Sequence, residues 1–406
     1  MTLLEELKEE EEQIIQTRHE LHRLAELSFQ EFKTTEYLKS ELKKAGAELR
    51  EIGIPTGVCA LIRGVREGPA IALRADIDAL PIQEESGLSY ASEREHVSHS
   101  CGHDLHSAAL LSAARYLCRH RDRLAGSVWL FFQPAEETLC GAKALIGAGC
   151  MKLEPAPESI LCYHTYPPLK TGLFGIIRGG ANNSCDNIRI TIRGKGGHGA
   201  YPHRCGDPIV AAGALLVQLQ TCVSRDNDSM MPAVLTFGSI HGGSSPNVIP
   251  SSVVLEGTLR AVYPESRQII KESIVRISEH VCSAMRTSAL VKFLEPAVPA
   301  VHNDDTVIDR AEAAIKKLFG PEAIYPMRFP TAGSEDFALY LDSCPGAIIR
   351  FGTQDPNNPA TALGVHTPGV QFDDRSLFYA VALLCQYTED SLSETVNILT
   401  TPAVSI

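Results

Sequence analysis

The stretch Ser127-Val-Trp-Leu-Phe-Phe-Gln-Pro-Ala-Glu-Glu137 decides how the rest of the chain is read. From Ser127 to Phe132 the residues are apolar on both alternating faces, and the run holds the only tryptophan. That is the pattern of a strand buried inside a sheet. The run breaks at Gln133-Pro134, and two adjacent carboxylates follow, Glu136 and Glu137. Carboxylates just beyond a buried strand are costly unless they are charge-paired or bound to metal. Adjacency lets one hold a metal while its neighbour faces the water that the metal activates.

Working outward, the same arrangement recurs. Val58 to Arg63 and Ala70 to Ala75 read as short buried strands, the second ending in Asp76-Ile-Asp78. Ile160 to Tyr163 reads as another, ending in His164. Open α/β sheets place ligand sites at such strand ends, although Asp76 and Asp78 also suit an Asx turn closing the strand. Between these strands lies His99-Ser-Cys-Gly-His-Asp-Leu-His106, just before a helical run from Leu105 to His120 that Asp104 is placed to cap. Cys101 and His103 fall in the tight turn at Gly102, and this density of borderline-soft donors points to a metal site. Nearer the N-terminus, Leu3 to Gly46 mixes helical apolar spacing with charge. Its His19 and His22 share a helix face and are expected to be a solvated or capping pair, since no acidic or cysteine partner stands nearby.

From Asn187 the texture changes. Ile188, Ile190 and Ile192 alternate with polar residues, a half-buried strand. A helix from Asp207 to Val223, strands near Ala233–Ile240 and Ser252–Val262, a helix from Pro264 to Arg286 and a strand Leu290–Leu294 complete a βαββαβ unit, the ferredoxin-like pattern. After it come a helix from Asp304 to Phe319, a strand Ala347–Phe351, the segment Gly364-Val-His366 and a last helix from about Asp374 to Leu392. The expected organisation is therefore a catalytic domain begun by 1–186, an inserted domain at 187–298, and a second catalytic segment at 299–406 that returns to the first sheet.

Bulk composition narrows the function. A formal charge of −12 argues against a nucleic-acid binder, which needs a basic face. No apolar run reaches membrane-spanning length. Met1 to Gln16 is acidic and helical in pattern, unlike a signal peptide, so the cytoplasm is expected. Twelve cysteines without paired spacing read as free thiols, one or two of them metal ligands, and the lack of a Cys-x-x-Cys pair weakens a redox reading.

Five motifs, Leu73-Arg-Ala-Asp-Ile-Asp-Ala-Leu-Pro81, Cys101-Gly-His-Asp104, Gln133-Pro-Ala-Glu-Glu137, Gly194-Lys-Gly-Gly-His198 and Gly364-Val-His366, occur in one chain. Together with Arg18-His-Glu-Leu-His22 and Glu26-Leu-Ser-Phe-Gln-Glu31, this set resembles the N-acyl-amino-acid amidohydrolase family, the hippurate hydrolase and indole-acetyl-amino-acid hydrolase group of the aminoacylase/carboxypeptidase metalloenzymes. The resemblance runs from about Glu20 to beyond His366. It implies an α/β fold with a central mixed sheet flanked by helices, of the zinc-peptidase type, and an inserted ferredoxin-like α+β domain. It implies hydrolysis of the amide bond of N-acyl amino acids by a two-metal site whose ions are zinc, manganese, cobalt or nickel. Carried over, the metal ligands are Cys101, His103, Glu137, His164 and His366, with the cysteine bridging both ions. Glu136 becomes the general base, Asp78 orients a ligand histidine, and His198 polarises the scissile carbonyl, often from the partner subunit of a homodimer. Asn247 and Arg260 match positions that hold the substrate carboxylate, and the Gly194-Lys-Gly-Gly context reads as backbone that lets substrate approach. Glu335 falls near the site in the family. His106 is expected to be no ligand, and His96, His99 and His203 to lie in loops or at the substrate rim.

The chain departs from the family at Leu24-Ala25-Glu26, where His-Pro-Glu is usual, and at Thr138-Leu139-Cys140-Gly141, where glycines are frequent. The second departure adds bulk near the metals and makes the substrate the least transferable property. Two alternatives stand beside the amidohydrolase: a dipeptidase or carboxypeptidase with the same chemistry, and a non-catalytic metal-binding module.

Overall fold

The computed structural model describes residues 1–393; residues 394–406, which close the expected second catalytic segment, lie outside the described residues. The chain divides into two compact units. The first comprises Met1–Gly179, His302–Phe329 and the chain from Leu339 onward; the second comprises Gly180–Val301 and Pro330–Ala338.

In chain order the first unit opens with three helices, α1 (Leu3–Glu9), α2 (Glu11–Leu24) and α3 (Phe32–Ala45), and strands β1 (Glu48–Arg50), β2 (Val58–Arg63) and β3 (Arg66–Asp76). Then come α4 (His103–Arg119), β4 (Ala125–Gln133), α5 (Gly141–Gly147), β5 (Ile160–Lys170) and β6 (Phe174–Ile176). The second unit follows with β7 (Cys185–Arg193), α6 (Pro208–Leu219), β8 (Ala233–Gly242), β9 (Ser252–Ala261), α7 (Pro264–Ala284) and β10 (Ser288–Val298). The chain returns to the first unit with α8 (Asp305–Phe319), β11 (Ile324–Pro326), β12 (Gly346–Gln354) and α9 (Ser376–Ser391).

The first unit is built on an eight-stranded mixed sheet in the order β1-β2-β4-β3-β5-β12-β6-β11. Its centre is parallel: β3 pairs with β4 and β5, and β5 with β12, all in the same direction. The run that suggested a central strand is one. Along β4, Val128, Leu130 and Phe132 join the helix-covered core, while Trp129 and Phe131 point to the opposite face. There the indole donates to the Pro155 carbonyl at 2.7 Å and Phe131 stacks on Tyr340. Both faces are thus covered, as a parallel sheet requires. Helix α4 is nearly all buried, and its alanines (108, 109, 113, 114) let it lie close to its neighbours.

The second unit is a four-stranded antiparallel sheet in the order β8-β9-β7-β10. Numbered within the unit this is 2-3-1-4, the ferredoxin-like arrangement that the βαββαβ pattern predicts. Ile188, Ile190 and Ile192 face Leu215, Leu219, Ile270 and Ile274 of α6 and α7, while Arg189 pairs with Glu256 in the open. Among the described residues no helix is long and apolar enough to cross a membrane.

Candidate metal centre

The central strands of the first unit deliver their chemistry to one edge. Strand β3 ends at Asp76, its parallel neighbour β4 at Gln133, and the Ile77 amide donates to the Gln133 carbonyl at 2.9 Å. Asp78 and the Glu136–Glu137 pair therefore leave the sheet side by side. His164 lies within β5, which runs on to Lys170 rather than ending at the histidine as its apolar run suggested. Cys101 and His103 stand at the start of α4, in a turn that needs Gly102: its φ is 85°, and a Cβ there would lie 2.7 Å from Cγ2 of Thr165.

The five candidate ligands are brought together as two triads. The donor atoms of Cys101, His103 and His164 lie within 4.8 Å of one another, and so do those of Cys101, Glu137 and His366. Cys101 belongs to both. Its Sγ is 3.6 Å from Nε2 of His164, and Oε1 of Glu137 is 3.7 Å from Nε2 of His103 and 3.4 Å from Nε2 of His366. Oε2 of Glu136 lies 4.0 Å from the same His103 nitrogen.

Hydrogen bonds fix which nitrogen each imidazole presents. Nδ1 of His103 donates to the Asp78 carbonyl at 2.9 Å, with the Asp78 carboxylate at 3.3 Å, and Nδ1 of His164 donates to the Thr165 carbonyl at 2.8 Å. In both rings this leaves the Nε2 lone pair facing the cluster. Nε2 of His103 and Oε1 of Glu137 are buried without a hydrogen-bond partner. Buried polar atoms left this way mark places where another partner belongs, and thiolate, imidazole and carboxylate donors suit divalent transition ions. Electrostatics add a proton to the picture: although burial opposes its charge, Asp76 and Cys101 raise His103 well above the usual histidine range, so an ion bound there would displace a proton. Burial, with the like charge of Glu137, pushes the Cys101 thiol up, so the thiolate needs a cation beside it. Burial, then His106 and Arg350, hold His164 well below the usual histidine range and keep its lone pair available.

Asp78 ties the parts together. Besides receiving His103, its two oxygens accept the backbone amides of Glu136 and Glu137 at 3.0 Å each and the Ser28 hydroxyl at 2.7 Å. Two of the chain's left-handed non-glycine residues adjoin or belong to the cluster, others being Phe29, His96, Leu139 and Arg286. Ala135 and His366 have φ of 53° and 65°, the left-handed region that side chains with a Cβ seldom occupy.

Several sequence expectations are corrected here. Asp104 does not cap α4: the helix begins one residue before it, at His103, with Gly102 as the capping residue. Asp104 lies in the first turn, favourable for a negative charge, and its Oδ2 accepts from Nε of Arg18 and Nδ1 of His22, each at 2.8 Å. His22 is accordingly not a solvated residue. It is buried between Asp104 and Glu84, and although burial opposes its charge these acids raise it to about 9. His99 lies in a loop, one of the two places expected for it, but is buried there, and burial lowers it to about 4. Both nitrogens of His106 are engaged, Nδ1 with Asp76 and Nε2 with the Thr165 amide at 2.9 Å, although Asp76, His103 and His106 also bring donor atoms within 4.8 Å of one another. It is no bystander, since it joins α4 to β5. Asp76 is held by that ring and by Arg74 at 2.7 Å.

The second unit carries the other predicted residues. Gly197-His198 pairs with Val248-Ile249 in a short antiparallel ladder, and the Gly199 amide donates to the Asn247 carbonyl at 2.8 Å, so His198 and Asn247 are neighbours. His198 is exposed, with Nδ1 accepting the Ala200 amide. The surrounding glycines have an internal reason to be there. A Cβ on Gly194 would lie 2.1 Å from the Gly206 carbonyl oxygen, and one on Gly196 2.7 Å from that of Ile249. It is the unit's own backbone that approaches closely. Arg260 donates to the Ser334 hydroxyl at 2.6 Å, and Glu335 accepts the Phe337 amide at 3.1 Å.

Arg18, Glu84 and Glu31 went unassigned in the sequence. Arg18 and His22 stand four apart on α2, a spacing that puts both on one face; that was the available signal.

The motif order has a counterpart in known proteins. Residues 72–390 match the family described as peptidase family M20/M25/M40. The chain is 40% identical over 374 residues to N-acetyl-L-cysteine deacetylase of Bacillus subtilis (strain 168), covering 91% of this chain and 86% of the relative. It is 35% identical over 384 residues to IAA-amino acid hydrolase ILR1-like 2 of Arabidopsis thaliana, covering 94% and 85%. Its fold superposes on the crystal structure of the Bacillus subtilis YXEP protein, a dinuclear metal binding peptidase from the M20 family, with a TM-score of 0.83 and 33% identity over 95% of this chain and 99% of that one. This chain belongs to the M20/M25/M40 peptidase family.

Proposed function

We propose that the protein is a metal-dependent amidohydrolase that cleaves the amide bond of N-acyl amino acids. One observation carries the reading: two donor triads share Cys101, and a further carboxylate, Glu136, stands beside them outside both triads, though it also groups with His103 and Glu137. A structural metal site has no use for such a carboxylate, whereas hydrolysis does. Relatives named as a deacetylase of N-acetylcysteine and a hydrolase of IAA-amino acid conjugates support the same bond type.

In this reading Cys101, His103 and His164 hold one divalent ion, and Cys101, Glu137 and His366 hold the other; zinc, manganese, cobalt and nickel all suit the donors. When bound, the ions supply Lewis acidity and lower the pKa of the attacking water. Glu136 takes a proton from that water and delivers it to the departing amine nitrogen. Asp78 keeps His103 in the tautomer whose Nε2 faces the ions and fixes the backbone of Glu136 and Glu137. His198 donates toward the scissile carbonyl oxygen, and Asn247 and Arg260 bind the substrate carboxylate. The functional form is a homodimer in which His198 serves the partner's site. The twelve free thiols support a reducing compartment, the cytoplasm.

The test is hydrolysis of a panel of N-acetyl, N-benzoyl and long-acyl amino acids and dipeptides, with elemental analysis. Glu136→Gln should lower turnover by about 10²- to 10⁴-fold with unchanged metal content. Turnover equal to wild type would remove the mechanism, and cleavage of dipeptides alone would replace the amidohydrolase reading with a dipeptidase.

A further inference from the structure

Three consecutive backbone amides, those of Ala135, Glu136 and Glu137, all donate to buried carboxylates. Asp78 accepts the second and third. Glu31 accepts the first, at 2.9 Å, through the same oxygen that takes the Phe29 amide at 3.0 Å. Glu31 occupies the capping position of α3, where an acidic side chain ordinarily accepts amides of its own first turn, yet it makes no such bond. The fully buried carboxylate is turned instead onto the end of β4.

Both residues it grips are left-handed, Phe29 at a φ of 60° and Ala135 at 53°, and the second leads into the candidate site. Ala135 turns the chain from the direction of β4 into the segment that bears Glu136. The other side of the residue is fixed too: the Ala135 carbonyl accepts the Gly141 amide at 3.0 Å and the Thr138 hydroxyl at 3.2 Å. With both flanking peptide groups pinned, the residue has no freedom to relax toward the extended or helical regions it would otherwise prefer.

We propose that Glu31 is a positioning residue for the hydrolytic reaction: by holding the Ala135 amide it keeps Ala135 left-handed and so sets where the Glu136 carboxylate stands relative to the two donor triads. This rests on the reading of Glu136 as the general base. A buried acid that merely anchors α3 would affect stability alike in ground and transition states. A residue that aims the base affects turnover, because small displacements of a catalytic group cost rate more than binding.

The experiment uses the full chain, loaded with manganese or zinc, and an N-acyl amino acid that the wild type hydrolyses. Glu31→Met removes the acceptor while keeping the volume. It should lower kcat about 10- to 100-fold, with KM within about twofold of wild type and unchanged metal content per folded chain. Glu31→Gln offers an amide oxygen to the same two N–H groups and should keep kcat within about threefold. Wild-type kcat in Glu31→Met overturns the proposal, as does a loss confined to thermal stability or to metal content. If Glu31→Met fails to fold, Glu31→Gln still decides: a fall of more than tenfold shows that hydrogen-bond acceptance is not what the position supplies. Failure of the underlying reading looks different, since the wild type would then hydrolyse none of the N-acyl substrates.

Discussion

Two buried clusters meet at the start of α4, and they handle charge in opposite ways. On one side Asp104 receives Arg18 and His22, His22 reaches Glu84 at 3.1 Å, and Arg18 also binds Asp374. Every acid there has a cation from the chain itself. On the other side Cys101, Glu136, Glu137 and the Nε2 faces of His103 and His164 converge. Buried atoms without a hydrogen-bond partner occur in both clusters, Arg18 Nη2 and Asp104 Oδ1 in the first and His103 Nε2 and Glu137 Oε1 in the second, so it is the kind of donor that separates them. Adjacent residues, His103 and Asp104, belong to different clusters. Where arginine and histidine answer the acids the cluster is a fastening; where thiol, imidazole and carboxylate donors converge, a metal ion from solution can take the place of the proton on His103.

The strongest way to break this contrast is to withdraw the external charge. Chelation should reduce hydrolysis to background, and adding back a divalent ion should restore it, with little change in the far-ultraviolet spectrum if the donor cluster is not a fastening. The same treatment should leave the Arg18 cluster untouched. If chelation instead unfolded the first unit, the donor cluster would also be a fastening.

Next in size is the internal charge. Arg18→Met leaves Asp104 buried with one cation fewer, and breaking a buried pair in this way costs about 3–5 kcal/mol. Urea unfolding measures it. A cost below about 1 kcal/mol would show that Asp104 is adequately held by His22 alone.

A smaller effect reads the same cluster by pH. His22 stands near 9 in the folded chain against about 6.5 when unfolded, so its pairing stabilises fully below about pH 6.5 and is lost as pH rises through 9. The contribution is on the order of 3 kcal/mol. Denaturant midpoints measured between pH 6 and 9.5 should therefore slope downward, and His22→Gln should flatten that slope. A wild-type stability unchanged across this window would contradict the pairing.

The sequence was a good guide where local chemistry dictates structure. The apolar runs at Ser127–Phe132 and Ile160–Tyr163 mark central strands because both of their faces are buried, and alternation at Ile188, Ile190 and Ile192 marks a sheet with one covered face. It was a poor guide where distant residues decide. The apolar run Ile160–Tyr163 reads as a strand ending at His164, but β5 continues through Pro167 and Pro168 to Lys170, and β12 absorbs the disruption with a register shift between Gly352 and Gln354. His22 looked unpartnered because Asp104 and Glu84 are 82 and 62 positions away. The candidate ligands were legible through the motifs that carry the family resemblance, although Cys101 and His103 stand at a helix start and His164 within a strand. Glu31 was not, because its role depends on the conformation of Ala135, which no spacing reveals.

The arrangement of the two triads along the chain has a consequence for biosynthesis. Cys101, His103 and His164 all precede the second unit, whereas His366 follows it. During translation the first triad is therefore complete before the second unit is begun, and the second waits until that unit has been made. Over the same interval β5 lacks β12, its later neighbour in the sheet. A nascent chain at this stage carries a half-built centre at the raw edge of an unfinished sheet, the stage at which premature metal capture or strand mispairing has its opportunity.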